Sequence, residues 1–210
     1  RVLRTTLGDP GCKSSLLNRR LSLWHMRSSE DCRPTSRNGL YVSSSWKQAL
    51  LRQLGFDPRT DLTTARWLGL SQQRLLHVPA GAVFRDDTGE LTAIRKRLHW
   101  YPRDVWLWMM AAQWHLVGNA EPLIGRTAEA SDPRGSALVG AALVRLMMQL
   151  CFLQERRYWP YAKWFGTAFS RLDAASTLGP LLDAILAARD HPTREESMIR
   201  ALQGLAHRHH

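Results

Sequence analysis

Two groups of polar residues in this chain have the types and spacing to do chemistry, and both lie after residue 120. The first surrounds one proline: Arg156, Arg157, Tyr158, Tyr161 and Lys163 flank Pro160. Two guanidinium groups, an ammonium and two phenols around one turn would suit a triphosphate or another polyanion, since they combine charge with donors. Cations at the end of an apolar helix are equally explained by its C-terminal dipole, so both readings stand. The second group is Glu121, Arg126 and Glu129, which a helix beginning at Pro122 would hold within about two turns. Arg145 is the residue that asks for a partner. It sits in an otherwise apolar run from Ala137 to Leu153, and a guanidinium buried there needs a carboxylate or carbonyl. Glu121, Glu129 or Asp132 would serve, giving an ion pair that fixes helix register; an anion or nucleotide contact is the alternative.

Other chemistries lack their parts. Thr167 and Ser170 have no His and Asp arrangement to make them nucleophiles. Asp86 and Asp87 are adjacent, so on a strand they would point to opposite faces and could not share a metal pair. Cys12, Cys32 and Cys151 form no CxxC and meet no His at zinc-ligand spacing. Cys151 reads as a buried thiol in a reducing compartment. His207, His209 and His210 could chelate a metal, but they lie at a terminus expected to fray. No catalytic residue and no metal ligand is assigned.

The elements that must position these groups are helical. The 137–153 run reads as a central helix covered on nearly every face. Trp46, Ala49, Leu50 and Leu54 recur at helical spacing before Gly55 and Pro58; further helices are expected around 64–68, over 71–77 with Ser71 as N-cap, and over 90–98. Pro102 opens a helix that should end at Gly118, and Pro122 opens another, though Gly125 weakens it. Asp132, Pro133 and Gly135 read as the loop before the central helix. After Pro160 come an amphipathic segment over 161–172, a helix over 178–189 capped by Thr177, and a last one opened by the capping box Thr193-x-x-Glu196. No alternating strand pattern of useful length appears, so the fold class is all-α, a compact multi-helix domain with a poorly ordered N-terminal tail.

Length and charge bound the rest. The 210 residues, 44% apolar, suffice for one domain over 45–210 behind a tail over 1–44. Residues 1–60 hold 11 Lys/Arg against 4 Asp/Glu, most of the formal net charge of +11. That tail is rich in Arg, Ser, Gly and Asn, with only LLNRRLSLWHM showing any period. Such a tail can bind polyanions by releasing counterions, and it is also what an Arg-rich, GC-rich genome would produce. Six of the nine tryptophans follow residue 99, which places the core in the C-terminal two-thirds. RVLRTTLGDPG has no apolar stretch of a secretory leader, and an Arg in the middle of the apolar run argues against a membrane span, so a cytoplasmic protein is expected. The chain opens on Arg1 rather than Met, which leaves a fragment and a trimmed chain both open.

Three stretches carry a resemblance: VFRDDTGELTAIRKRLHWYPRDVWLWMMAAQW, GRTAEASDPRGS and LVRLMMQLCFLQERRYWPYAKWFGTAF. They look like the C-terminal helical part of the bacterial nucleotidyltransferase-like family called domain of unknown function 4037. The resemblance covers roughly 45–210, and its most specific pieces are YPRDVW and RRYxPYxKWFGxAF. It implies a helical accessory domain on the substrate or nucleotide side of a nucleotidyltransferase-like domain that precedes it. A small-molecule substrate is also implied. The Gly-Ser and paired-carboxylate motif of such a domain is missing: Gly135-Ser136 leads into an apolar helix without a carboxylate pair. Mg2+ and a nucleoside triphosphate are therefore implied only for a longer parent protein. The family-like polar positions, and so the binding candidates, are Glu121, Arg126, Glu129, Arg145, Arg156, Tyr158, Tyr161 and Lys163, with Asp132 beside them. Two departures put an acid/base role of the 120–135 region in doubt: Ala120-Glu121 stands where two acids are expected, and Asp132-Pro133-Arg134-Gly135 where Asp-Glu-Leu-Gly is. The alternatives are a basic nucleic-acid-associated module, ranked below the accessory role, and a nonfunctional truncated remnant.

Overall fold

The computed structural model describes residues 46–60 and 62–209, and every regular element in them is a helix. The fold class is all-α, as the missing strand patterns predict. The tail expected over 1–44, with the LLNRRLSLWHM segment, Cys12 and Cys32, lies outside the described residues, as does His210. The described residues divide into two compact units, one of 46–60 with 77–99, the other of 62–76 with 100–209.

In the first unit, α1 (Trp46–Leu54) buries Ala49, Leu50 and Leu54, three residues on one face, and ends at Gly55, whose φ of 82° is cheap only for glycine. Its counterpart, labelled α4 (Glu90–Arg97) in chain order, buries Leu91 and Ile94. The start of α4 is held by Asp86, whose carboxylate accepts from the Thr92 amide at 2.8 Å and hydroxyl at 2.7 Å. These bonds favour the ionised form and hold Asp86 below the usual carboxylate range. Lys47 and Glu90 pair across the two helices at 2.8 Å.

The second unit opens with α2 (Thr64–Gly69), capped by Thr63, and α3 (Gln72–His77), where Ser71 accepts from the Arg74 amide. Then follow α5 (Arg103–Ala120), α6 (Pro122–Glu129), α7 (Pro133–Gln154), α8 (Ala162–Phe169), α9 (Ala175–Ala187) and α10 (His191–His207). Helix α7 is the axis, packed by α5, α6, α9 and α10. Leu143, Met147, Leu150 and Leu153 give it a fully buried stripe. By length and composition α7 could cross a membrane, yet half of that stretch is buried among these helices, which is the signature of a core helix.

Several boundaries differ from the sequence reading: α8 ends at Phe169 rather than 172, α9 ends at Ala187 rather than 189, and four others shift as follows. Pro133 and Gly135 belong to α7, because Asp132 caps it by accepting from the Gly135 amide at 2.8 Å. A Cβ at Gly135 would collide with that carboxylate. Helix α5 runs through Gly118 to Ala120. Helix α9 starts at Ala175, ahead of Thr177, because the turn leading into it already makes backbone bonds, the Ala175 amide donating to Leu172 and the Thr177 amide to Ala174. Helix α10 starts at His191, because Asp190 accepts from the Thr193 amide at 2.9 Å and takes the role expected of Thr193.

Candidate functional site

The end of α7 is built as a Schellman turn. Arg156 donates its amide to the Leu153 carbonyl at 3.2 Å, and Arg157 donates to Phe152 at 2.9 Å. The turn needs a left-handed residue, and Arg156 supplies it with φ of 52°, where glycine is the usual choice. Its guanidinium lies 4.3 Å from the centroid of the Trp106 ring. Trp106 is itself fixed, donating Nε1 to the Leu153 carbonyl at 2.8 Å. The strained backbone thus aims an exposed cation across an anchored aromatic face.

Behind this turn, Glu155 is nearly enclosed, with 11% of its side chain exposed. Its carboxylate accepts from the Asp173 and Ala174 amides at 3.0 and 2.8 Å, which fixes the turn leading into α9, and from Arg208 at 3.0 Å. Cys151 sits one turn earlier, fully buried, and burial pushes its thiol up to about 12.

Beyond the turn, Tyr158 is buried, with ring centroids 4.8 Å from Trp100 and 5.1 Å from Tyr101. Burial raises both phenols well above the ordinary tyrosine range, so neither is a base at neutral pH. Gln72 accepts from the Trp159 amide at 3.2 Å, and Gln73 accepts from the Tyr161 amide at 2.7 Å. The two glutamines of α3 therefore clamp the backbone on either side of Pro160. Tyr161 and Lys163 are exposed, with the Lys163 ammonium 5.1 Å from the Trp164 ring.

Arg145 corrects an expectation. It is exposed, not buried, and shares an outward face of α7 with the exposed Leu138 and Ala141. No ion pair joins it to Glu121, Glu129 or Asp132; its guanidinium lies 5.3 Å from the Phe165 ring instead. That outward face also corrects the expectation that α7 is enclosed all round, since Leu138 is 69% exposed. The buried arginine is Arg194, 4% exposed. It donates to the Ser136 hydroxyl at 2.6 Å, to the Ile185 carbonyl at 3.4 Å and to the Ala188 carbonyl. The end of α9 thus meets its charge with unpaired carbonyls rather than a carboxylate.

The structure brings Arg156, Tyr158, Tyr161 and Lys163 into one segment after α7. It does not bring Glu121, Arg126 and Glu129 to them, for these precede α7, which at 22 residues is about 33 Å long. Glu121 is half-buried where α5 meets α6, and Arg126 and Glu129 are exposed on α6.

This segment also lies at the end of the one stretch that comparison places. Residues 67–165 match the family model described as Domain of unknown function (DUF4037). No match was found among curated proteins or among solved structures. The matched stretch holds every binding candidate, together with Gln72, Gln73, Trp106 and Glu155. Arg194 and Arg208 fall outside it. The DUF4037 stretch therefore carries the clamped turn, and the residues after it brace that turn from behind. Among the described residues no three His, Cys, Asp or Glu side chains gather as a metal site.

Sequence reasoning missed Gln72, Gln73, Trp106 and Glu155. One signal was in the sequence: two glutamines at the start of a short helix place paired acceptors on one end of it. Nothing local pointed to Glu155, whose partners are 18, 19 and 53 residues away.

Proposed function

We propose that this chain provides a helical accessory domain, on the substrate or nucleotide side of a nucleotidyltransferase-like half, and that it does not catalyse alone. The observation that carries this reading is the pair Arg145 and Arg156. Both guanidinium groups are exposed, each lies over an aromatic ring, and neither has a carboxylate partner among the described residues. Arg156 in addition holds a backbone conformation that a purely structural turn would give to glycine. Cations held open in this way suit the phosphates of a nucleotide presented by a partner surface.

The test is binding and turnover measured together. Isothermal titration of the chain with MgATP should show binding that weakens about tenfold in Arg156→Gln. The same chain should transfer no nucleotide to any small-molecule acceptor. Transfer by this chain alone, or MgATP affinity unchanged in Arg145→Gln and Arg156→Gln, would overturn the reading. Binding of a DNA or RNA duplex that falls steeply with salt, without MgATP binding, would replace it with the nucleic-acid module.

A further inference from the structure

The first unit holds a second candidate, unrelated to the arginines of α7. A cleft of about 40 Å3 opens between Ala49, Leu50 and Gln53 of α1, the segment 77–84, and Leu91 and Arg95 of α4. A water needs roughly 10–15 Å3 of such space, so the cleft holds a group of about three or four heavy atoms. Its walls are mostly aliphatic, which disfavours a highly hydrated guest.

The one charged side chain in the wall is Arg95. Its Nη2 donates to the carbonyls of Pro79, Ala80 and Gly81 at 2.6, 3.2 and 2.7 Å, which fixes the plane of the guanidinium. Nε and Nη1 make no hydrogen bond, and no carboxylate pairs with Arg95 among the described residues. A half-buried guanidinium, oriented by three carbonyls and still short of an anion, can give a carboxylate a charge-assisted hydrogen bond from Nε or Nη1. On another wall, Gln53 donates to Nδ1 of His77 at 2.9 Å, and burial holds that imidazole below its usual pKa. The neutral ring adds no second positive charge, so a single negative charge suffices.

We propose that this cleft binds a small monocarboxylate such as propionate, whose three carbons fill it against Leu50, Val83 and Leu91 while its carboxylate oxygens meet Arg95. A phosphate is larger in hydration and charge than this cleft favours.

The full chain, labelled with 15N at arginine, tests this by NMR. The Arg95 Nε–H signal should shift saturably with sodium propionate and stay in place with propionamide or sodium chloride. Arg95→Gln should weaken binding about tenfold, because it removes the positive charge that meets the carboxylate. Since Arg95 also holds the 79–81 segment, Val83→Trp serves as a second variant: it fills the cleft, keeps the arginine, and should abolish the shift. A shift that propionamide or chloride reproduces, one that survives Val83→Trp, or saturation by phosphate without propionate would each overturn the proposal.

Discussion

Two Schellman turns flank α7, one ending α6 and the other ending α7 itself, and they differ in what supports them. Before α7, Ser131 takes the left-handed position of a Schellman turn, with φ of 53°, and Asp132 follows as the cap. After α7, Arg156 takes that position with φ of 52°. The first turn is exposed and closed by neighbours in sequence. The second is closed by residues far away: Trp106 bonds its carbonyl, Glu155 reaches across to α9 and Arg208, and Gln72 and Gln73 hold the strand of chain beyond. An end that only has to stop a helix is written locally, whereas an end that presents a cation is fixed from several elements.

The comparison breaks most severely one turn into α7, where Arg194 reaches Ser136. Arg194→Met should destabilise the chain by about 3 kcal/mol in urea unfolding, since it strands the Ser136 hydroxyl and two helix-end carbonyls. A Cβ at Gly140 would stand 3.1 Å from Cδ of Arg194, so Gly140→Ala should cost stability in the wild type and much less beside Arg194→Met. Additive costs in that double-mutant cycle would show that the close approach is not the cause.

At the far end, Glu155→Gln should cost about 2 kcal/mol, because one amide cannot accept from two backbone donors and also face Arg208. If thermal unfolding of Glu155→Gln matches wild type, the bracing role assigned to Glu155 is wrong.

The turns themselves separate the two ends on a finer scale. Ser131→Gly should stabilise by roughly 0.5–1 kcal/mol by relieving the left-handed strain. Arg156→Gly relieves the same strain but gives up a stacked cation worth about 0.5–1 kcal/mol, so its melting temperature should stay near wild type. Equal gains at both positions would mean that the Trp106 contact contributes nothing.

The smallest effect is electrostatic. Hydrogen bonds from Thr193 hold Asp190 below the usual carboxylate range. A depressed folded value means that its stabilisation is present above the unfolded carboxylate range and is lost as pH falls through the folded value. Melting curves taken between neutral and acid pH should therefore converge for wild type and Asp190→Asn as the carboxylate protonates; curves that run parallel would remove Asp190 as an acid-sensitive cap.

The helices were legible in the sequence because their signals are local. Trp46, Ala49, Leu50 and Leu54 mark a face by spacing alone, and Pro102 and Pro122 mark starts by a missing donor. The candidate site was legible only in outline. Arg156, Tyr161 and Lys163 were visible as charges around Pro160, but the glutamines that clamp that turn and the indole beneath Arg156 come from α3 and α5.

What the sequence determined by itself is therefore the all-α class, most helix positions and the polar segment after α7. Each follows from interactions within one or two turns, where spacing fixes geometry. Which arginine is buried was decided only by tertiary structure. Arg145 looked committed because its neighbours in sequence are apolar, yet it lies on an outward face of α7. Arg194 sits in a polar stretch, HPTREES, yet it is enclosed by Gly140, Ser136 and the end of α9. Burial depends on what packs against a face, and the packing partners lie 9 and 58 residues away.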